Sequence, residues 1–119
     1  MIFTRFNKAF ASAGDRTEYG IQVGVAVPLI DPDSAGLPQG LEHGQLNEIE
    51  DLILGQTRGR AVLVGVITTQ SMREFVLYTR DSQWIPEFHQ ALRGQVTHHD
   101  IQVMAQRDPS WDTYRSFVR

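Results

Sequence analysis

The chain has 119 residues, 41% of them hydrophobic and 21% charged, which suits one domain of ordinary size with a core of its own. Its formal net charge is −3 with histidine neutral, which argues against the basic stripe that nucleic-acid binding needs; with no cysteine, it can form no disulfide, thiolate metal site or cysteine nucleophile. No segment approaches the ~20 apolar residues of a membrane span.

The first residues, MIFTRFNKAFASAG, contain an Ala-Ser-Ala resembling a signal cleavage site. Arg5, Asn7 and Lys8 interrupt the apolar stretch that a signal peptide requires, so the chain is expected to be cytoplasmic. Over residues 1–16, Phe3, Phe6 and Phe10 suit a helical stripe, whereas IFTRF is rich in strand formers and SAGD suits a turn. The reading leans to an additional strand.

EYGIQVGVAVPLI alternates, with Ile21, Val23, Val25 and Val27 on one face and Gln22, Gly24 and Ala26 on the other. It predicts a half-buried strand closed by Pro28. After the turn formers of DPDSAGLPQG, LEHGQLNEIEDLILGQ predicts a helix with Leu46, Ile49, Leu52 and Ile53 on its apolar stripe. Glu42, Glu48, Glu50 and Asp51 are expected mainly in solvent, with Gly55 as a left-handed cap. RAVLVGVITT is a strand apolar on both faces, Val62, Val64 and Val66 against Ala61, Leu63 and Ile67. REFVLYTR pairs with it through a turn near Gln70-Ser71, again two-sided, with Phe75 and Leu77 against Val76 and Tyr78.

SQWIPEFHQALRG predicts a second helix, its stripe Ile85, Phe88 and Leu92. Pro86 falls in its first turn, where a missing amide costs little, and Gly94 stops it. HHDIQVMAQ is the last strand, with Ile101, Val103 and Ala105 inward. In the ending, DPSWDTYRSFV, Trp111, Tyr114 and Val118 recur at i, i+3 and i+7, one face of a short helix. Asp108 reads as its N-cap, Pro109 as its first helical residue, and Arg115 and Arg119 sit where the helix dipole favours cations. Asp108, Pro109, Trp111 and Tyr114 thus form a structural motif.

The order strand, helix, strand, strand, helix, strand is the split βαβ pattern. It predicts an α+β, ferredoxin-like antiparallel sheet with both helices on one face, plus the N-terminal strand and the short C-terminal helix. Two helices cover one face only, yet the central hairpin is apolar on both. Phe3, Phe6 and Phe10, Trp111 and Tyr114, or a second chain must cover the other face. The terminal segments are expected to cover most of it, and any remainder would be a dimer or partner surface.

The ending RDPSWDTYRSFV resembles that of the bacterial family known as domain of unknown function 695, which closes on Asp-Pro-x-Trp-x-x-Tyr. GLPQGLEHGQLNEIEDLIL is similar to its Gly-x-Pro and following helix with Leu-x-x-x-Glu-Asp. VGVITTQSMREFVLYTRD resembles its strand–turn–strand, with Thr before the turn and Arg-Glu, then Tyr, after it. The resemblance runs from about Val27 to the C terminus of what reads as a single domain, 1–119. The family often has Gly in the hairpin turn, and Gln70-Ser71-Met72 has none. The resemblance implies a fold and no established chemistry. Members also accompany domains resembling the B-type protein inhibitor of ribonuclease E, which makes a regulatory role an expectation by analogy alone.

Residue by residue, little chemistry stands out. His98 and His99 would face opposite ways on a strand, and neither His43 nor His89 supplies a metal-ligand spacing, so solvated histidines and no metal are expected. Glu50 and Asp51 face different ways on a helix, and either could pair structurally with Arg73. GQTRGR lacks a phosphate-loop frame, and Ser71 and Ser110 lack a nucleophile frame. Arg73, Glu74 and Tyr78 are the ligand-binding candidates. No cofactor is expected. The expected function is a non-enzymatic protein-interaction or regulatory module with a protein partner or homodimer. The alternative is a small-ligand or enzymatic site on Arg73, Glu74 and Tyr78, which would need a deep cleft.

Overall fold

A computed structural model of the chain describes residues 3–6, 18–69 and 71–117. Its elements are β1 (Phe3–Phe6), β2 (Ile21–Pro28), α1 (Glu42–Thr57), β3 (Ala61–Thr69), β4 (Met72–Thr79), α2 (Ile85–Gln95), β5 (Gln102–Arg107) and α3 (Asp112–Phe117). The strands form one antiparallel five-stranded sheet in the order β1-β3-β4-β2-β5. The described residues thus form a mixed α/β arrangement of this sheet and three helices. The central hairpin lies inside the sheet, and β1 and β5 are its edges.

Each face of the sheet carries its own apolar cluster. On one, Val23, Val25 and Val27 of β2 join Phe75 and Leu77 of β4 against Leu46, Ile49 and Ile53 of α1 and Phe88 and Leu92 of α2. On the other, Val64, Ile67, Val76 and Tyr78 pack with Trp111 and with Tyr114 of α3, and Phe6 of β1 lies against them. The two-sided hairpin is therefore covered by the chain's own terminal segments. Phe10 and Val118 lie outside the described residues.

The register of β3 departs from simple alternation. A bulge sets Val64 and Gly65 together opposite Val76, between the pairs Leu63↔Leu77 and Val66↔Phe75. The extra residue reverses the alternation after it. Val66 consequently joins Leu63 on the α1 face, and Ile67 joins Val62 and Val64 on the α3 face, correcting the grouping read from the sequence. At Gly65 the backbone also lies directly under Phe6, and a Cβ there would stand 2.3 Å from the ring's Cδ2. Gly65→Ala should thus cost about 1–3 kcal/mol by overpacking. Thermal melts should show Phe6→Ala recovering part of that loss in the double variant, and purely additive losses would break the link.

Two glycines read as stops are not stops. Gly55 lies inside α1, which runs on to Thr57, whose buried hydroxyl donates to the Ile53 carbonyl at 2.7 Å. The left-handed position falls later, at Gly59, φ 79°. Gly94 lies within α2, which ends after Gln95. The hairpin turn places Ser71 at φ 66°, a region where glycine is at ease. Ser71 is held there from both sides, its N–H donating to the Gly36 carbonyl and its carbonyl accepting from Leu29 N–H. Ala105, expected inward, is exposed because β5 is an edge strand, whereas Ile101 just before β5 is buried.

Candidate functional site

The ending closes the fold around Tyr78. Its ring is fully buried and stacks on Trp111, with centroids 4.1 Å apart and planes 15° apart. The Tyr78 hydroxyl donates to Asp108 Oδ2 at 2.6 Å, and Trp111 Nε1 donates to the Tyr19 carbonyl at 2.8 Å. Asp108 Oδ1 also accepts from Asp112 N–H at 2.8 Å, and Oδ2 from Thr113 N–H at 3.1 Å. The carboxylate thereby meets the first free amides of α3, the need the N-cap reading anticipated. It does so from across a turn, closed by Trp111 N–H on the Asp108 carbonyl at 2.9 Å. Pro109 is accordingly a turn residue and not the first helical one.

Burial, then the hydrogen bond to Asp108, pushes the Tyr78 hydroxyl above its ordinary pKa. Burial alone would raise Asp108. The hydrogen bonds from Tyr78, Thr113 and Asp112 outweigh it and hold this carboxyl below the ordinary carboxylate value. Tyr78 is thus fully buried, with its hydroxyl engaged by Asp108.

Arg73 and Glu74 are neighbours on β4 and so leave the sheet on opposite faces. Together with the burial of Tyr78, this separates the three residues that the sequence reading grouped. Arg73 lies on the α1 face, half-buried, its Nε donating to Thr68 Oγ1 at 3.1 Å. Burial draws its pKa below the ordinary value, and Glu50 opposes the shift. Of the two partners offered for Arg73, Glu50 instead accepts from Arg5 at 2.7 Å, and among the described residues Asp51 makes no ion pair with Arg73. Arg5, Arg73, Glu50, Asn47 and Thr68 line an open recess of about 230 Å³.

Glu74 lies on the other face, in an open groove of about 280 Å³ between β2 and the edge strand β5. Its carboxylate rests over Gly24, where a Cβ would stand 2.7 Å from Oε2. Gln22 and Gln106 flank it, the Gln106 amide donating to Gln22 Oε1 at 2.8 Å. Burial raises the Glu74 pKa. Among the described residues no cation pairs with it.

The histidines are not the solvated pair read from the sequence. Residues 98 and 99 lie in a bend before β5, where strand alternation does not apply. Their rings meet Nδ1 to Nδ1 at 2.9 Å. His99 is buried, with Nε2 2.5 Å from Glu42 Oε2. Glu42, read as a solvent-facing acid, is buried too, and it accepts from Ile30 N–H at 2.7 Å and Asp31 N–H at 3.3 Å. Burial alone would raise its pKa; the Ile30 amide, His99 and the Asp31 amide together hold it below the ordinary value. His98 Nε2 lies 3.6 Å from Glu48, and His89 Nε2 is 2.9 Å from the Ile101 carbonyl. Among the described residues, no three histidine or acidic side chains are grouped to hold a metal.

The sequence reading missed Arg5, Gln22, Gln106, Glu42 and His99. Gln22 carried a signal, as a polar residue on the less apolar face of a clean strand. His99 carried none, since its partner is 57 positions away.

Sheet and helices together define an α+β protein, and among its described residues Glu74 and Arg73 each line an open recess, on opposite faces of the sheet. The chain belongs to DUF695, a family of unknown function, which it matches over residues 1–118. The resemblance, read from about Val27 onward, therefore extends through the N-terminal strand. Among curated proteins and among solved structures nothing matches the chain. Among the described residues, no helix is long and apolar enough to cross a membrane.

Proposed function

We propose that this chain is a non-enzymatic interaction module that docks an extended segment of a protein partner along the outer edge of β5. In this reading β2 to β5 with α1 and α2 form a ferredoxin-like unit, supported by their antiparallel order β3-β4-β2-β5 and the alternation of strands and helices. The free edge of β5 carries the proposal. Asp108 N–H donates to the Gly20 carbonyl at 2.8 Å, continuing the register in which Gln22 faces Gln106 and Gly24 faces Met104. In an antiparallel ladder, bonded pairs alternate with non-bonded ones. The amides and carbonyls of Val103, Ala105 and Arg107 thus point outward, ready to pair with an added strand.

Beside that edge, Met104 is 68% exposed and Glu74 sits in the groove without a cation. A partner strand with a basic side chain would extend the sheet and pair with Glu74. The test is selection of a random displayed peptide library on the immobilised protein. Basic, extended sequences should emerge and shift the backbone resonances of residues 103–107. Ala105→Pro removes only an outward amide, so it should abolish binding without lowering the melting temperature. Peptides that bind Ala105→Pro as well as the parent would sink the proposal. Light scattering on the parent and on Ala105→Pro would show whether a second copy uses the same edge.

A further inference from the structure

The recess on the α1 face poses a separate question. Arg73 is a half-buried guanidinium, and burying charge is unfavourable unless it is paired. Its Nε is used by Thr68, yet among the described residues its terminal nitrogens meet no acceptor and no carboxylate lies within ion-pair distance. The acids around it are engaged elsewhere. Glu50 is bound to Arg5, and Glu42 is held by His99 and by the amides of Ile30 and Asp31. The lining has two arginines against one glutamate, hence one net positive charge. It is assembled from three parts of the chain: Thr4 and Arg5 from β1, Asn47 and Glu50 from α1, and Thr68 and Arg73 from the central hairpin.

We propose that this recess binds a small oxyanion, a phosphate or carboxylate group, gripped by the terminal nitrogens of Arg73 with Arg5 and Asn47 at the mouth. The planar fork of arginine presents paired donors at the spacing of two such oxygens. At about 230 Å³ the recess is smaller than the roughly 300–1,000 Å³ of sites for drug-sized ligands, so it suits an anionic head group or a small free anion. Glu50 tempers the site, because its charge opposes the anion while it holds Arg5 in place. The site faces away from the Glu74 groove and stands independently of the edge-strand reading.

Calorimetric titration of the full chain at low ionic strength, with inorganic phosphate in one arm and succinate in the other, tests this. Saturable binding in either arm supports the site, and the tighter arm tells phosphate from carboxylate. Arg73→Gln should weaken binding roughly tenfold or more, the effect of losing a charge-assisted hydrogen bond. Glu50→Gln should instead tighten it, and this variant keeps Arg73 in place should Arg73→Gln fold poorly. Arg93→Gln, at an exposed position on α2, should leave affinity unchanged. No saturable binding in either arm overturns the proposal. So does unchanged or weaker binding by Glu50→Gln, or an Arg93→Gln effect matching that of Arg73→Gln.

Discussion

Replacing Trp111 by alanine is expected to destabilise the fold by about 3–5 kcal/mol, the usual cost of emptying a buried tryptophan site. The ring is 2% exposed, stacks on Tyr78 and meets Tyr114 edge-on with centroids 5.5 Å apart. Its removal would uncover Val76 and Ile67 and leave the Tyr19 carbonyl without the indole donor. The residue also holds a left-handed backbone, φ 57°, a conformation that costs a bulky residue roughly 1–3 kcal/mol and persists because the ring is so well packed. A thermal melt should fall by something of the order of 10–20 °C for a domain of this size. An unchanged midpoint accompanied by lost partner binding would make Trp111 a recognition residue instead.

Glu42→Ala should be the next most damaging change, at about 2–4 kcal/mol, because it strands several polar groups at once. The Ile30 and Asp31 amides and His99 Nε2 would all lose their acceptor. The loop between β2 and α1 would then no longer be tied to the entry of β5. Glu42 also gives stability a pH dependence of definite sign. The folded pKa of Glu42 is depressed below its ordinary 4.5. Its contribution is therefore fully present above 4.5 and is lost as pH falls through the lower folded value. Denaturant melts between about pH 6 and pH 3 should show Glu42→Ala losing less stability on acidification than the parent, since part of the parent's loss is this group's protonation. Parallel curves for the two proteins would mean that the carboxylate is not selectively stabilised in the fold.

Local patterns explain which parts of this architecture are legible from residues alone. Alternation marked β2, helical periodicity marked α1 and α2, and the two-sided hairpin implied a second apolar layer, to be supplied by the termini or a second chain. The closing motif was readable because Asp108, Trp111 and Tyr114 are near one another in the chain. The separation of Arg73 from Glu74 was also implicit, since neighbours on a strand face opposite ways.

By itself, then, the sequence determined the element order from β2 onward, the apolar faces of β2, α1 and α2, and the burial of Trp111 and Tyr114, while residues 1–16 stayed open between strand and helix until β1 was placed. These follow from spacings within one element, where backbone geometry relates residue number directly to direction. Tertiary structure alone decided the bulge at Val64 and Gly65, which turned Val66 and Ile67 to opposite faces from those expected. It alone joined Glu42 to His99 and set Arg5 between Glu50 and the Arg73 recess. Such features depend on which distant segments pack together, and one buried carboxylate can satisfy donors far apart in the chain while leaving no periodic trace in it.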